Sequence, residues 1–93
     1  MWHLRRVVGE SMEPTLKKGR LLVISRARDY KIGDVVVVLK DNREVVKRIT
    51  DYVDGRVFLQ GDNAAMSTDS RVYGWVVDRH IQGKVIWPST KTR

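Results

Sequence analysis

The 93-residue sequence predicts an all-β protein: a small antiparallel sheet folded on itself in barrel-like fashion, with little or no helix. Three observations carry this. Apolar residues recur with period two almost throughout, and the β-branched valine and isoleucine dominate them, as half-buried strands require. Short clusters of Gly, Asp and Asn interrupt the pattern at close intervals. No stretch keeps a helical period long enough to bury one face of a helix.

Taken in order, the first strand is expected at residues 4–8, ending at Gly9, and the second at 21–25, after the turn Lys17-Lys18-Gly19. Ile32-Gly33-Asp34 leads into a third at 35–40, which holds the longest apolar run of the chain. Asp41-Asn42-Arg43 turns it into a fourth at 44–50, and Asp54-Gly55 introduces a fifth at 56–60. Two more are expected at 72–77 and 81–87. Between the fifth and sixth lies the polar stretch 61–71, whose Asp, Asn, Ser and Thr side chains can bond their own backbone. A loop that long in a chain this small points to function.

The length suits one compact domain with one modest core, so residues 1–93 are read as a single unit. With no cysteine, neither disulfides nor thiolate metal sites can hold it together, and the redox compartment stays open. Eighteen Lys and Arg against eleven Asp and Glu leave a net charge of +7. Such a surface can bind nucleic acid, lie against anionic lipid, or keep a protein in solution. The basic residues are dispersed along the chain and not gathered in a block, which favours solubility, with membrane proximity second and no nucleic acid expected. The longest apolar run, five residues, is far short of the roughly 20 that span a bilayer. Two settings remain open: the cytoplasm, or a membrane surface reached through an anchor outside these residues.

Two residues stand out as candidates for chemistry. Ser11 lies in Gly9-Glu10-Ser11-Met12-Glu13-Pro14-Thr15-Leu16, where Gly9 permits unusual backbone angles and Pro14 fixes its own φ. It is either a nucleophile on a shaped turn or a capping serine in a loop. Lys47 shares a strand face with Val45 and Ile49, by simple alternation. If that face is the core, the ammonium form is desolvated and a neutral amine results; if it is the surface, Lys47 meets water or runs its stem along the sheet edge.

The sequence resembles the signal peptidase I superfamily in four ordered boxes. These are Ser11-Met12-Glu13-Pro14-Thr15-Leu16, Gly33-Asp34-Val35-Val36-Val37, Lys47-Arg48-Ile49, and Gly61-Asp62-Asn63 with Ser67, Asp69, Ser70, Arg71 and Gly74. Ala64 stands where most bacterial leader peptidases carry arginine. That departure, the short distance from Lys47 to Gly61 and the lack of an anchor are similar to small nickel superoxide dismutase maturation peptidases.

The resemblance implies a serine endopeptidase that removes an N-terminal leader from a protein substrate bound in extended form, with no cofactor and no metal. It implies Ser11 as nucleophile, Lys47 as general base and Ser67 as the residue orienting Lys47. The backbone of Gly9 and Ser11 would form the oxyanion region, with Gly9 standing where many relatives carry a hydroxyl. Asp69 and Arg71 would form a loop ion pair, and Asp62 and Asn63 would shape the loop. Val7, Val8 and residues 36–38 are candidate groove walls.

Competing readings are a noncatalytic basic β module binding nucleic acid and a self-cleaving domain of the repressor type, which shares the Ser-Met-x-Pro-Thr and Lys elements. A Ser-His-Asp arrangement through His80 finds no support in the spacing. Trp2, Trp75 and Trp87 are expected as core or edge anchors, with Trp2 beside Arg5 and Arg6 placed to enter a membrane interface.

Overall fold

The structure is a computed structural model that describes residues 1–91. Seven strands form one antiparallel sheet: β1 Trp2–Arg6, β2 Leu21–Ser25, β3 Val35–Lys40, β4 Arg43–Val53, β5 Arg56–Gln60, β6 Val76–Val77 and β7 Ile81–Trp87. The spatial order is β1-β2-β7-β3-β4-β5-β6, which puts β3 at the centre. The remaining regular structure is one short helix, α1 Ser70–Tyr73, and two single 3-10 turns, Ala64–Met66 and Asp78–His80.

Four of the seven expected strands have the expected bounds, and β4 runs longer than expected at both ends. The first strand begins and ends two residues early, because Val7 leaves the ladder to enter the core. The strand expected over 72–77 is corrected. Asp69 caps a helical turn by accepting the Arg71 backbone N–H, so Val72 and Tyr73 lie in α1 and only Val76 and Val77 pair with β5. A favourable cap overrides the β preference of this Val-Tyr pair.

The β3–β4 and β4–β5 connections are two-residue hairpins in which Asp41 and Asn42, then Asp54 and Gly55, all have positive φ. These turns match the right-handed twist of the strands they join. Their tightness sets the register Val36↔Lys47 and Val37↔Val46.

Valines 35 to 38 are each no more than 1% exposed, so β3 is covered on both sides. Val35 and Val37 join a cluster with Val7, Met12, Leu16, Leu22, Ile24 and Val85. Val36 and Val38 join Ile49, Val57, Leu59, Val76 and Ile81 on the other side. Val7 and residues 36–38 are therefore core and cannot wall a groove, which corrects that expectation and leaves Val8. The chain segment carrying Met12 and Leu16 packs into the first cluster, so burying those two side chains anchors the chain directly after Ser11. Each buried side chain of this size contributes roughly 1.5–3 kcal/mol.

The three tryptophans are not in the core. Trp2 and Trp87 are more than half exposed, and Trp75 packs edge-on against Phe58 with ring centroids 5.3 Å apart. Among the described residues no helix is long and apolar enough to cross a membrane.

Candidate active site

Lys47 sits at the middle of β4, on the face it shares with Val45 and Ile49 and opposite Val36. Only 4% of it is exposed. Burial holds its amine below the ordinary lysine pKa; the negative charge of Asp69 works against that, and the positive charge of Arg71 works with it. The amine donates a 2.9 Å hydrogen bond to Ser67 Oγ.

Ser67 in turn donates to Asp69 Oδ2 at 2.5 Å. Asp69 is fully buried and also accepts from the Gly61 backbone N–H, at 2.8 Å, and from the Arg71 guanidinium through both of its oxygens. Burial alone would raise the Asp69 pKa; the Arg71, Ser67 and Gly61 donors outweigh it and hold the carboxyl well below the usual range. Asp69 is thus a fixed anion at the end of a relay that begins at Lys47. Ser70 lends its hydroxyl to the Leu59 N–H at 2.8 Å, which ties α1 to β5.

Ser11 is held from the other side. Its carbonyl accepts the Asn63 backbone N–H at 2.8 Å, and Asn63 Nδ2 donates to the Glu10 carbonyl at 3.1 Å. Gly61 makes this approach possible: a Cβ there would fall 2.5 Å from the Ser11 carbonyl oxygen and on top of Ser67 Oγ. Asp62 accepts two bonds from Arg48, at 2.9 and 2.8 Å, and one from the Thr15 hydroxyl. Burial by itself would raise the Asp62 pKa, but Arg48 and Thr15 pull it below the ordinary value. The Gly61-Asp62-Asn63 loop therefore clasps the Ser11 segment to the end of β5.

Ser11 and Lys47 border one cleft of about 470 Å³, together with Val8, Gly9, Glu10, Val46 and Met66. Gly9 has φ +82°, a conformation that glycine adopts without strain. His80 lies exposed in the turn before β7, outside this cleft, and His3 sits on β1. Sequence reasoning did not single out Arg48, which also donates to the carbonyls of Gly33 and Thr90 at 2.8 and 2.7 Å and so locks three segments around Asp62. Its place beside Lys47 in the third box was the available signal.

The sheet thus brings a buried lysine and a half-buried loop serine to one cleft. The chain belongs to the Peptidase S24-like family, whose model matches residues 3–86. It is also similar to mitochondrial inner membrane protease subunit 1 of Schizosaccharomyces pombe, at 37% identity over 118 aligned positions covering 95% of this chain and 75% of that protein. The alignment is longer than the chain, so the relative carries insertions that this protein lacks. Both findings agree with the signal peptidase I superfamily, and the protein is a peptidase of signal peptidase type.

Proposed function

We propose that this protein is a serine endopeptidase in which Ser11 is the nucleophile and Lys47 the general base, and that it cuts a leader segment from a protein substrate through an acyl-enzyme. The observation that carries this reading is the polarity of the Lys47 to Asp69 relay. A hydroxyl has one proton. Ser67 donates its one hydrogen bond to Asp69, so it can only accept from Lys47; once burial leaves that amine neutral, its lone pair stays free for Ser11.

In this mechanism Lys47 takes the Ser11 proton as Oγ attacks the scissile carbonyl carbon. The protonated amine then delivers that proton to the leaving nitrogen, the C–N bond breaks, and an ester to Ser11 remains. Lys47, neutral again, takes a proton from water as it attacks the ester, then returns that proton to Ser11 Oγ as the acyl C–O bond breaks and the carboxylate product leaves. The Ser11 backbone N–H and the backbone at Gly9 face the developing oxyanion. Asp69, Arg71, Asp62 and Asn63 support these groups and take no part in bond making.

Sheet topology supports an extended substrate. Residues 48–53 of β4 pair with β5, but residues 43–47 pair only with β3 among the described residues. Ile49 directs its N–H and C=O to Asp34 and Gly33, on the β3 side. Alternation then turns the backbone groups of Glu44 and Val46 to the open edge, where a peptide can add as a further strand. Val8, 87% exposed, and Met66 offer apolar walls.

Peripheral contact with an anionic membrane surface belongs to the same proposal. Trp2, Leu4, Val23 and Trp87 share the outer face of β1, β2 and β7 through the pairs Leu4↔Val23 and Val23↔Trp87. Arg6 flanks them, and the Arg20 guanidinium lies 5.0 Å over the Trp87 ring. Indole and arginine side by side suit the headgroup region.

The test is a peptide cleavage assay joined to labelling by a serine-directed acylating probe. Wild-type protein should cleave and should label at Ser11, while Ser11→Ala and Lys47→Ala should each lose turnover and remain folded. Turnover retained by Lys47→Ala removes the proposed base.

A further inference from the structure

We propose that Arg43 is a specificity-determining residue of this cleft, selecting peptides that carry an acidic side chain about four residues from the bond that is cut. The inference deepens the reading of Ser11 and Lys47 as the reacting pair and rests on it.

The first support is position. Arg43 opens β4, borders the cleft, and shares the strand face of Val45 and Lys47. A strand advances about 3.4 Å per residue, so four positions separate Arg43 from Lys47 by about 14 Å. A peptide paired to the free edge of β4 advances at the same rate. The substrate residue level with Arg43 is then about four from the one level with Lys47, on whichever side of the cut that half of the peptide lies.

The second support is charge. Among the described residues Arg43 has no carboxylate partner, whereas its neighbour Glu44 is held by Arg5 through bonds of 2.7 and 3.3 Å. The Glu44 charge is thereby offset, and the far end of the cleft is left with an unopposed guanidinium. A guanidinium meets a carboxylate through paired, charge-assisted hydrogen bonds.

The third support lies at the other end. Glu10 directly precedes Ser11, is exposed, borders the cleft and has no cationic partner among the described residues. Its charge repels an acidic side chain next to the scissile bond. The cleft is therefore negative at the cut and positive four residues away, a field that favours one placement of an acid and opposes another.

The experiment uses the whole protein and a set of internally quenched peptides with small residues around the cut, in which a single Asp is moved through six positions on either side, with Ala and Lys peptides as references. The expected result is a kcat/KM about 1.5-fold to fivefold above the Ala peptide for Asp at one site three to five residues from the cut, the range open to a solvent-exposed ion pair. Asp beside the cut should lower it. In Arg43→Glu the preference should invert, the Lys peptide exceeding the Asp peptide at that same site. A flat scan by an active wild-type protein, or an Asp preference that survives Arg43→Glu, overturns this proposal and leaves the Ser11 and Lys47 reading intact. Failure to cleave any peptide, with no labelling of Ser11, overturns both.

Discussion

Lys47 Nζ donates to Ser67 Oγ at 2.9 Å, and Ser67 Oγ donates in turn to Asp69 Oδ2 at 2.5 Å. The hydroxyl thus fixes where the amine points without competing for its lone pair. Replacing Ser67 by alanine frees the end of a four-carbon chain inside the cleft. A misplacement of about 1 Å in a reacting group can cost about 10²-fold. Ser67→Ala should therefore lower kcat by about 10²-fold with KM little changed, measured by steady-state cleavage of one peptide. An unchanged kcat would remove Ser67 from this role.

Arg71 acts on Lys47 at second hand. It satisfies both oxygens of Asp69, and so tempers the anion that would otherwise favour a protonated Lys47. In Arg71→Gln the Asp69 charge is less opposed, and an opposite charge nearby raises an amine pKa. The rising limb of kcat/KM against pH should shift to higher pH. A limb that stays in place or moves to lower pH contradicts this account of the relay.

Gly61 is where two requirements meet, since its missing side chain leaves room for both the Ser11 carbonyl and the Ser67 hydroxyl. Neither neighbour is the free end of a long side chain, so neither yields easily. Gly61→Ala should destabilise the fold by about 1–3 kcal/mol, the usual cost of forcing atoms into a packed place. Activity should fall further than stability explains, because Ser11 and Lys47, the proposed nucleophile and base, are displaced together. Denaturant melts alongside single-turnover cleavage separate the two losses.

Much of this was readable from residue order. Period-two patterning found β2 and β5 because each buries one face, an unbroken apolar run found β3 because both of its faces are core, and Asp-Gly and Asp-Asn turns mark hairpins by their tolerance of positive φ. The alternation that put Lys47 beside Val45 and Ile49 left its direction open, since a lone strand does not reveal which face is covered. That answer depends on Leu59 and Ile81, which are distant in sequence and packed with Ile49 on the same side. Arg48 was passed over for a similar reason. Its importance comes from Asp62, Gly33 and Thr90 converging on one guanidinium, a fact of tertiary approach that no local pattern encodes. The helical turn at Ser70–Tyr73 was hidden because its cause, the Asp69 cap, lay in a loop read as irregular.

The outer face of β1, β2 and β7 leads to a binding prediction. With Trp2 72% exposed and Arg6 and Arg20 beside the apolar surface, the protein should co-sediment with vesicles rich in anionic phospholipid and far less with neutral ones. Binding should weaken with salt, as screening requires. Trp2→Ser combined with Leu4→Ser should reduce it severalfold, while cleavage of a soluble peptide continues. Equal binding to neutral vesicles would point away from a charge-assisted contact.

The buried amine should also be visible in stability, independently of catalysis. Unfolded, Lys47 titrates near its ordinary pKa of about 10.4; folded, it titrates lower because burial penalises the ammonium form. Between those two values the unfolded chain holds a proton that the folded chain lacks, so stability due to this group rises with pH across that window. Below the folded pKa the penalty is present in full, at about 1.4 kcal/mol for each unit by which the two values differ. Lys47→Met keeps the length of the side chain and removes the titration. It also leaves Ser67 without its donor, a pH-independent loss of about 1 kcal/mol. The stability difference between variant and wild type should therefore favour the variant most at low pH and decline steadily towards pH 10. Asp62 and Asp69 do not disturb the comparison, since both titrate below the ordinary carboxylate range. Chemical denaturation of both proteins at a series of pH values between about 6 and 10 measures it, and a difference independent of pH would mean that Lys47 keeps its proton in the folded state.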